Sequence, residues 1–167
     1  MDNLGSLYTR QGRYDEAGPL LAEAVEARRR VLGEDHPHTL LSMHSLASLY
    51  KDQGRYDEAE PLYRRAFEGR QRIRGEKDRQ TLLALGELVA SLMALERFEE
   101  AEPLAIECYG RNQDVFGAAH TETRQAIEHL VYLYDGWGKP DQAAEWRTSL
   151  SATQPAAAEK QPASDGD

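Results

Sequence analysis

Residues 12–20 read GRYDEAGPL, residues 54–62 read GRYDEAEPL, and residues 96–104 read ERFEEAEPL. The first residues of these segments stand 42 positions apart. Another step of 42 lands on Gly138, where GKPDQAAEW keeps the alanine as Ala143 and then diverges. A fixed period in this range marks a stacked array of repeats, each a supersecondary unit that cannot bury its apolar face alone. Each of the three closest copies also carries a proline, Pro19, Pro61 or Pro103, inside what otherwise reads as a helix. The proline falls about a turn in, near the amides that lack an intrahelical partner anyway, so it costs about one hydrogen bond.

Two apolar stripes fill each period. Met43, Leu46, Ala47 and Tyr50 fall at i, i+3, i+4 and i+7, one face of an α-helix. The same face returns as Met1, Leu4, Gly5, Tyr8, as Leu85, Leu88, Val89, Leu92, and as Ile127, Leu130, Val131, Tyr134. These are the A helices, predicted near 2–11, 38–53, 80–95 and 122–136. A second stripe follows each turn: Ala17, Leu20, Leu21, Ala24, Val25, then Ala59, Leu62, Tyr63, Ala66, Phe67. These belong to B helices predicted near 14–32, 56–74, 98–116 and 140–151. Gly12 and Gly54 follow A helices, and Gly33, Gly75 and Gly117 follow B helices, where a left-handed residue can end a helix. Thr39, Thr81 and Thr123 stand near the start of the next A helix, and each hydroxyl is expected to accept from an unpaired amide. Acidic pairs such as Asp57 and Glu58 crowd the first turn of each B helix, where the helix dipole favours negative charge.

The chain of 167 residues carries a formal charge of -9 and a pI near 5.1. That balance opposes broad attraction to nucleic acid or to anionic lipid, both of which require a positive field. The basic run Arg64, Arg65, Arg70, Arg72, Arg74, Lys77 and Arg79 is interrupted by Glu68, Glu76 and Asp78 and reads as a solvated outer face. The single cysteine, Cys108, occupies the register of Ala24 and Ala66 and reads as a small buried residue. One cysteine cannot close an internal disulfide, which suits a reducing, cytoplasmic setting. No stretch approaches 18 apolar residues, so no membrane span is expected. His36, His38 and His44 lack a completing carboxylate or cysteine, so no metal site is expected. No paired base and nucleophile, phosphate loop or metal set is present, and no cofactor and no enzymatic activity are expected.

The residues Leu4, Gly5, Tyr8, Ala17, Leu21 and Ala24, and Leu46, Ala47, Tyr50, Ala59, Tyr63 and Ala66, resemble the tetratricopeptide repeat. The usual period of that repeat is about 34 residues. The period of 42, with a longer B helix and a loop such as GEDHPHT, resembles the variety found in kinesin light chains and in many bacterial regulatory proteins. The closing segment HLVYLYDGWGKPDQAAEWRTSL resembles the last repeat of arrays attached to bacterial serine/threonine kinases, although no kinase residues are present.

The resemblance implies an all-α fold, a right-handed α-solenoid of antiparallel helix pairs, with A helices lining a concave groove. It covers units of about 1–37, 38–79, 80–121 and 122–151, with 152–167 as a disordered tail. It also implies a non-catalytic scaffold that binds a protein or peptide segment. The alternative is structural self-association or an autoregulatory segment of a larger protein. Helical phase then nominates the groove wall: Asn3, Ser6 and Arg10; Leu41, His44, Ser45, Ser48 and Asp52; Leu83 and Glu87; Gln125, Glu128, His129 and Tyr132. In kinesin light chains and carboxylate-clamp relatives an asparagine commonly precedes the leucine of helix A. Only Asn3 keeps it, with Ser45, Glu87 and His129 at the matching positions. A ligand of positive or hydroxyl character suits Glu87 and Glu128 better than an acidic C-terminus.

Met1, Leu4, Leu7 and Leu20 belong to surfaces that an upstream repeat would cover. The expectation is that the chain is the C-terminal part of a longer array, or that this edge pairs weakly with a second copy.

Overall fold

The computed structural model describes residues 2–153, with side chains from Leu4 onward; Met1, the Asn3 side chain and the tail at 154–167 lie outside the described residues. Eight helices follow one another: α1 (Asp2–Arg10), α2 (Tyr14–Leu32), α3 (Pro37–Asp52), α4 (Tyr56–Arg74), α5 (Arg79–Ala94), α6 (Phe98–Phe116), α7 (Thr121–Gly136) and α8 (Pro140–Ala152). Odd-numbered helices are the A helices and even-numbered ones the B helices. Among the described residues there is no strand, no helix long and apolar enough to cross a membrane, and no cluster of three metal-ligating side chains.

Each A helix reaches the next B helix through the same turn. The amide of Arg13 donates to Tyr8 O, Arg55 to Tyr50 O, Arg97 to Leu92 O and Lys139 to Tyr134 O. With the bonds Gly12 to Thr9, Gly54 to Lys51, Glu96 to Met93 and Gly138 to Asp135, this is the paired six-to-one and five-to-two closure of a Schellman motif. The motif needs a left-handed residue. Gly12, Gly54 and Gly138 supply it at φ near 72°, and Glu96 adopts φ 56° without the freedom of glycine. The arginine after the turn then clips the B helix: Arg13, Arg55 and Arg97 each form an ion pair with the glutamate three residues on. The B helices run unbroken through Pro19, Pro61 and Pro103.

The turn from B helix to A helix corrects one expectation. Thr39 and Thr123 do not accept from amides; their hydroxyls donate to the carbonyls of Gly33 and Gly117 at 2.8 Å. They thereby close the end of the preceding helix, since a fully buried threonine one turn into α3 or α7 faces back toward the helix it follows. The starts of the A helices are capped instead by His36, whose Nδ1 accepts from the His38 amide, and by Asp78, which accepts from Gln80 and Thr81.

One apolar cluster fills the units from α3 to α8, and a second joins α1, α2 and α3. Leu85, Leu88, Val89 and Leu92 are fully buried, as are Ala59, Tyr63 and Ala66 facing them. Phe98 stacks on Trp137, and Tyr109 meets Trp146 edge to face. Consecutive helices pack side by side along the chain, and in addition α1 touches α3 and α5 touches α7. No comparable contact joins one B helix to the next among the described residues. At α1–α3 and α5–α7 the A helices therefore approach one another more closely than successive B helices do.

Candidate functional site

A cavity of about 370 Å3 opens between α5 and α7, with α6 as its floor. Leu83, Gly86, Glu87 and Ala90 project from α5, each three or four residues from the last or adjacent to it, so they share one face. Gln125, Glu128, His129 and Tyr132 do the same on α7. Cys108, Asn112 and Phe116 rise from α6 at intervals of four, and Lys51 and Arg79 close the rim.

The hollow has a local cause. Gly86 stands 42 residues after His44, and the two occupy the same register of their helices. In the earlier unit the imidazole of His44 fills this place, lying edge-on to Tyr63 with ring centroids 5.3 Å apart and its Nδ1 3.5 Å from an Arg70 nitrogen. A Cβ built on Gly86 would meet nothing within 4 Å. Part of the cavity is therefore space that a side chain occupies one repeat earlier.

Its charges are partly matched. Glu87 accepts from Lys51 of α3 at 2.7 Å, an ion pair that ties consecutive A helices together. Glu122 is held by Arg79 at 2.9 Å and lies 2.6 Å from His120; the hydrogen bond from Arg79, and then one from its own backbone amide, keep its carboxyl below the ordinary range. Glu128 forms no ion pair among the described residues. Tyr132, one turn further along α7, is 68 % exposed. The buried Nδ1 of His129 has no hydrogen-bond partner among the described residues, and burial lowers the ring's pKa, so the imidazole is neutral. Burial pushes the Cys108 thiol up to about 12, and Asn112 donates to the Cys108 carbonyl at 2.7 Å. A thiol that stays protonated is a floor, not a nucleophile.

The structure thus brings six of the nominated groove residues into one cavity: Leu83, Glu87, Gln125, Glu128, His129 and Tyr132. Leu41 lies elsewhere, in a second hollow one repeat earlier. His44 turns into the packing between α3 and α4, where burial and then Arg70 lower its pKa to about 4. Ser48 accepts from the Tyr63 hydroxyl and donates to the His44 carbonyl, so its hydroxyl is engaged within the array. Ser6, Arg10, Ser45 and Asp52 line neither hollow, and the Asn3 side chain lies outside the described residues. Helical phase missed Lys51, Gly86, Asn112 and Phe116. Gly86 had a legible signal, a glycine in mid-helix with no turn to serve. The floor residues had none, because they come from a B helix whose phase was assigned wholly to the core.

A stack of antiparallel helix pairs with a cavity between two A helices defines a helical-repeat scaffold of the kind that presents surfaces to other proteins. Models of the tetratricopeptide repeat match residues 1–72 and 81–122. The chain belongs to the tetratricopeptide repeat family, whose repeats generally mediate protein–protein interaction.

Among solved structures, the nearly identical TPR-like repeats of a Podosopora anserina kinesin light chain candidate superpose with a TM-score of 0.84 at 23 % identity, over 96 % of this chain and 77 % of that one. A single-substitution variant of that protein gives 0.82 at 24 % identity, over 90 % of this chain and 71 % of that one. BtubC (BKLC) from P. vanneervenii gives 0.80 at 20 % identity, over 90 % of this chain and 60 % of that one. At these identities the likeness is one of fold, that of a kinesin-light-chain-like solenoid. No curated protein matches the chain.

Proposed function

We propose that the chain is a non-catalytic scaffold that holds an extended protein segment along its A helices, with the α5–α7 cavity receiving a basic side chain. The observation that carries this reading is the conjunction of Glu128, a carboxylate without an ion pair among the described residues, with Tyr132, a ring 68 % exposed one turn away. A lysine or arginine entering there meets a carboxylate and an aromatic face together. The cation–π part contributes about 0.5–1 kcal/mol at an exposed site, and Leu83 and Phe116 supply apolar wall for the stem of the side chain.

Displayed random peptides selected on the wild-type chain and counter-selected on Gly86→His test it. A Cβ on residue 86 meets nothing within 4 Å, so a histidine has room to enter the cavity there. Peptides that survive are expected to carry Lys or Arg and to lose about two- to fivefold in affinity against Glu128→Gln and against Tyr132→Ala. If counter-selection removes every wild-type binder, or if the surviving peptides are indifferent to Glu128→Gln and Tyr132→Ala, the cavity is not the binding place.

A further inference from the structure

Three residues of the α5–α7 cavity have informative counterparts one repeat earlier. Asn112 stands 42 positions after Arg70, Gly86 stands 42 after His44, and Glu122 stands 42 after Gln80. One step further back, Arg28 and His38 occupy the registers of Asn112 and Glu122. The two earlier units fill this place with a guanidinium of their own. Arg28 donates from Nη1 to the His38 carbonyl at 3.0 Å. Arg70 donates from Nη1 to the Gln80 carbonyl at 3.2 Å, and the same nitrogen lies 3.5 Å from His44 Nδ1. Arg70 is only 5 % exposed, so the repeat buries an arginine head here as part of its own packing.

In the third unit both of these touching side chains are cut back together, arginine to Asn112 and histidine to Gly86. The hollow that holds Arg70 has about 250 Å3, and its later counterpart has about 370 Å3. The acceptors survive the change. Glu122 keeps the backbone carbonyl that takes the arginine proton in the earlier registers, and a carbonyl oxygen with two lone pairs can serve a helix amide and a second donor. Asn112 is 3 % exposed; its side-chain nitrogen donates to the Cys108 carbonyl at 2.7 Å, which leaves its Oδ1 without a partner among the described residues. An acceptor buried unpaired is costly, and a donor from a ligand removes that cost. The ionised groups of the wall, Lys51 and Arg79 against Glu87, Glu122 and Glu128, leave one negative charge in excess, the complement of a single cation.

We infer that the α5–α7 cavity is a guanidinium site, in which an arginine of the bound protein segment takes the place of the internal arginine that the array gives up at Asn112. This rests on the reading above and narrows it, from a basic side chain to arginine in preference to lysine. A guanidinium presents five N–H groups in a planar fork, enough to serve the floor acceptors on one edge and the Glu128 carboxylate on another. An ammonium is a point charge with three donors and a stronger hold on its water. The flat ion also stacks on an aromatic face, which the exposed ring of Tyr132 offers. The array thus carries the template of its own ligand, in Arg28 and Arg70.

The test titrates acetyl-Gly-Arg-Gly-amide, its Lys analogue and its citrulline analogue into the isotope-labelled chain, followed by NMR at the Asn112 side-chain amide and the Gly86 backbone amide. The Arg peptide is expected to shift both signals and to bind at least threefold tighter than the Lys peptide, with the neutral citrulline peptide at least tenfold weaker than Arg. Asn112→Arg restores the arrangement of the two earlier units and should abolish binding of the Arg peptide, with circular dichroism confirming that the array stays folded. Asn112→Leu, close in volume, removes the floor acceptor alone and should cut the preference for Arg over Lys at least twofold. Equal binding of the Arg and Lys peptides would overturn the inference and leave the basic-side-chain reading standing. Silence of both signals with both peptides would overturn that reading and the inference with it. Undiminished binding to a folded Asn112→Arg chain would overturn the inference, and agmatine binding more tightly than the capped Arg peptide would overturn the assignment to a protein segment.

Discussion

Glu96 is the one non-glycine residue with positive φ among those described, and it closes the same turn that glycine closes after α1, α3 and α7. A side chain there costs roughly 1–2 kcal/mol of Cβ crowding, partly offset because glutamate has less freedom to lose on folding than glycine. Glu96→Gly is therefore expected to stabilise the array by about 0.5–1 kcal/mol, measured by urea denaturation. His44 gives a second residue-scale expectation. Its folded pKa of about 4 lies below the ordinary value of 6.5, chiefly from burial. Protonation thus favours the unfolded chain. The stability tied to the neutral ring is whole above about pH 6.5 and is lost as pH falls toward 4, a loss of order 3 kcal/mol if complete. Urea midpoints between pH 7 and pH 4 should fall less steeply for His44→Gln than for the wild type. Parallel slopes would contradict the assignment.

Within single helices, α5 offers the cleanest experiment. Gly86 lies in mid-helix, and an added Cβ meets nothing, so Gly86→Ala is expected to raise stability by about 0.5–1 kcal/mol, read as an increase in Tm. At this scale the sequence was most legible. All eight helices stand where the two stripes put them, within about a residue at either end, because period and glycine punctuation are local chemistry that neighbours reinforce. What could not be read was the direction of a hydrogen bond. Thr39 was expected to accept and instead donates, since a hydroxyl does either and only the approach of the Gly33 carbonyl decides. The site divides in the same way. Phase along the A helices grouped Glu87, Glu128 and Tyr132, which line one cavity, but whether such a residue lines a hollow or fills it depends on the partner helix. That is why His44 and Leu83 part company.

Across the first three A helices, burial grows away from the first unit. The equivalent leucines Leu4, Leu46 and Leu88 are 44 %, 6 % and 0 % exposed. Each unit is covered by the one before it, as nearest-neighbour stacking requires. Leu88→Ala is expected to cost about 3–5 kcal/mol by cavity formation. Leu4→Ala, half in water already, should cost about 1 kcal/mol or less. Hydrogen exchange should accordingly find slow amides concentrated in α4 and α5 and fast ones in α1 and α8.

Both tryptophans sit at one end, Trp137 beside Phe98 and Trp146 against Tyr109. Light absorbed by indole therefore interrogates only the contacts of α8 and its turn, whereas far-ultraviolet dichroism weighs every helix. The molecule carries its own local thermometer. If the array loosens from that end, fluorescence will report a lower midpoint than dichroism in the same sample, and a stability taken from emission alone will describe the last helix pair instead of the protein.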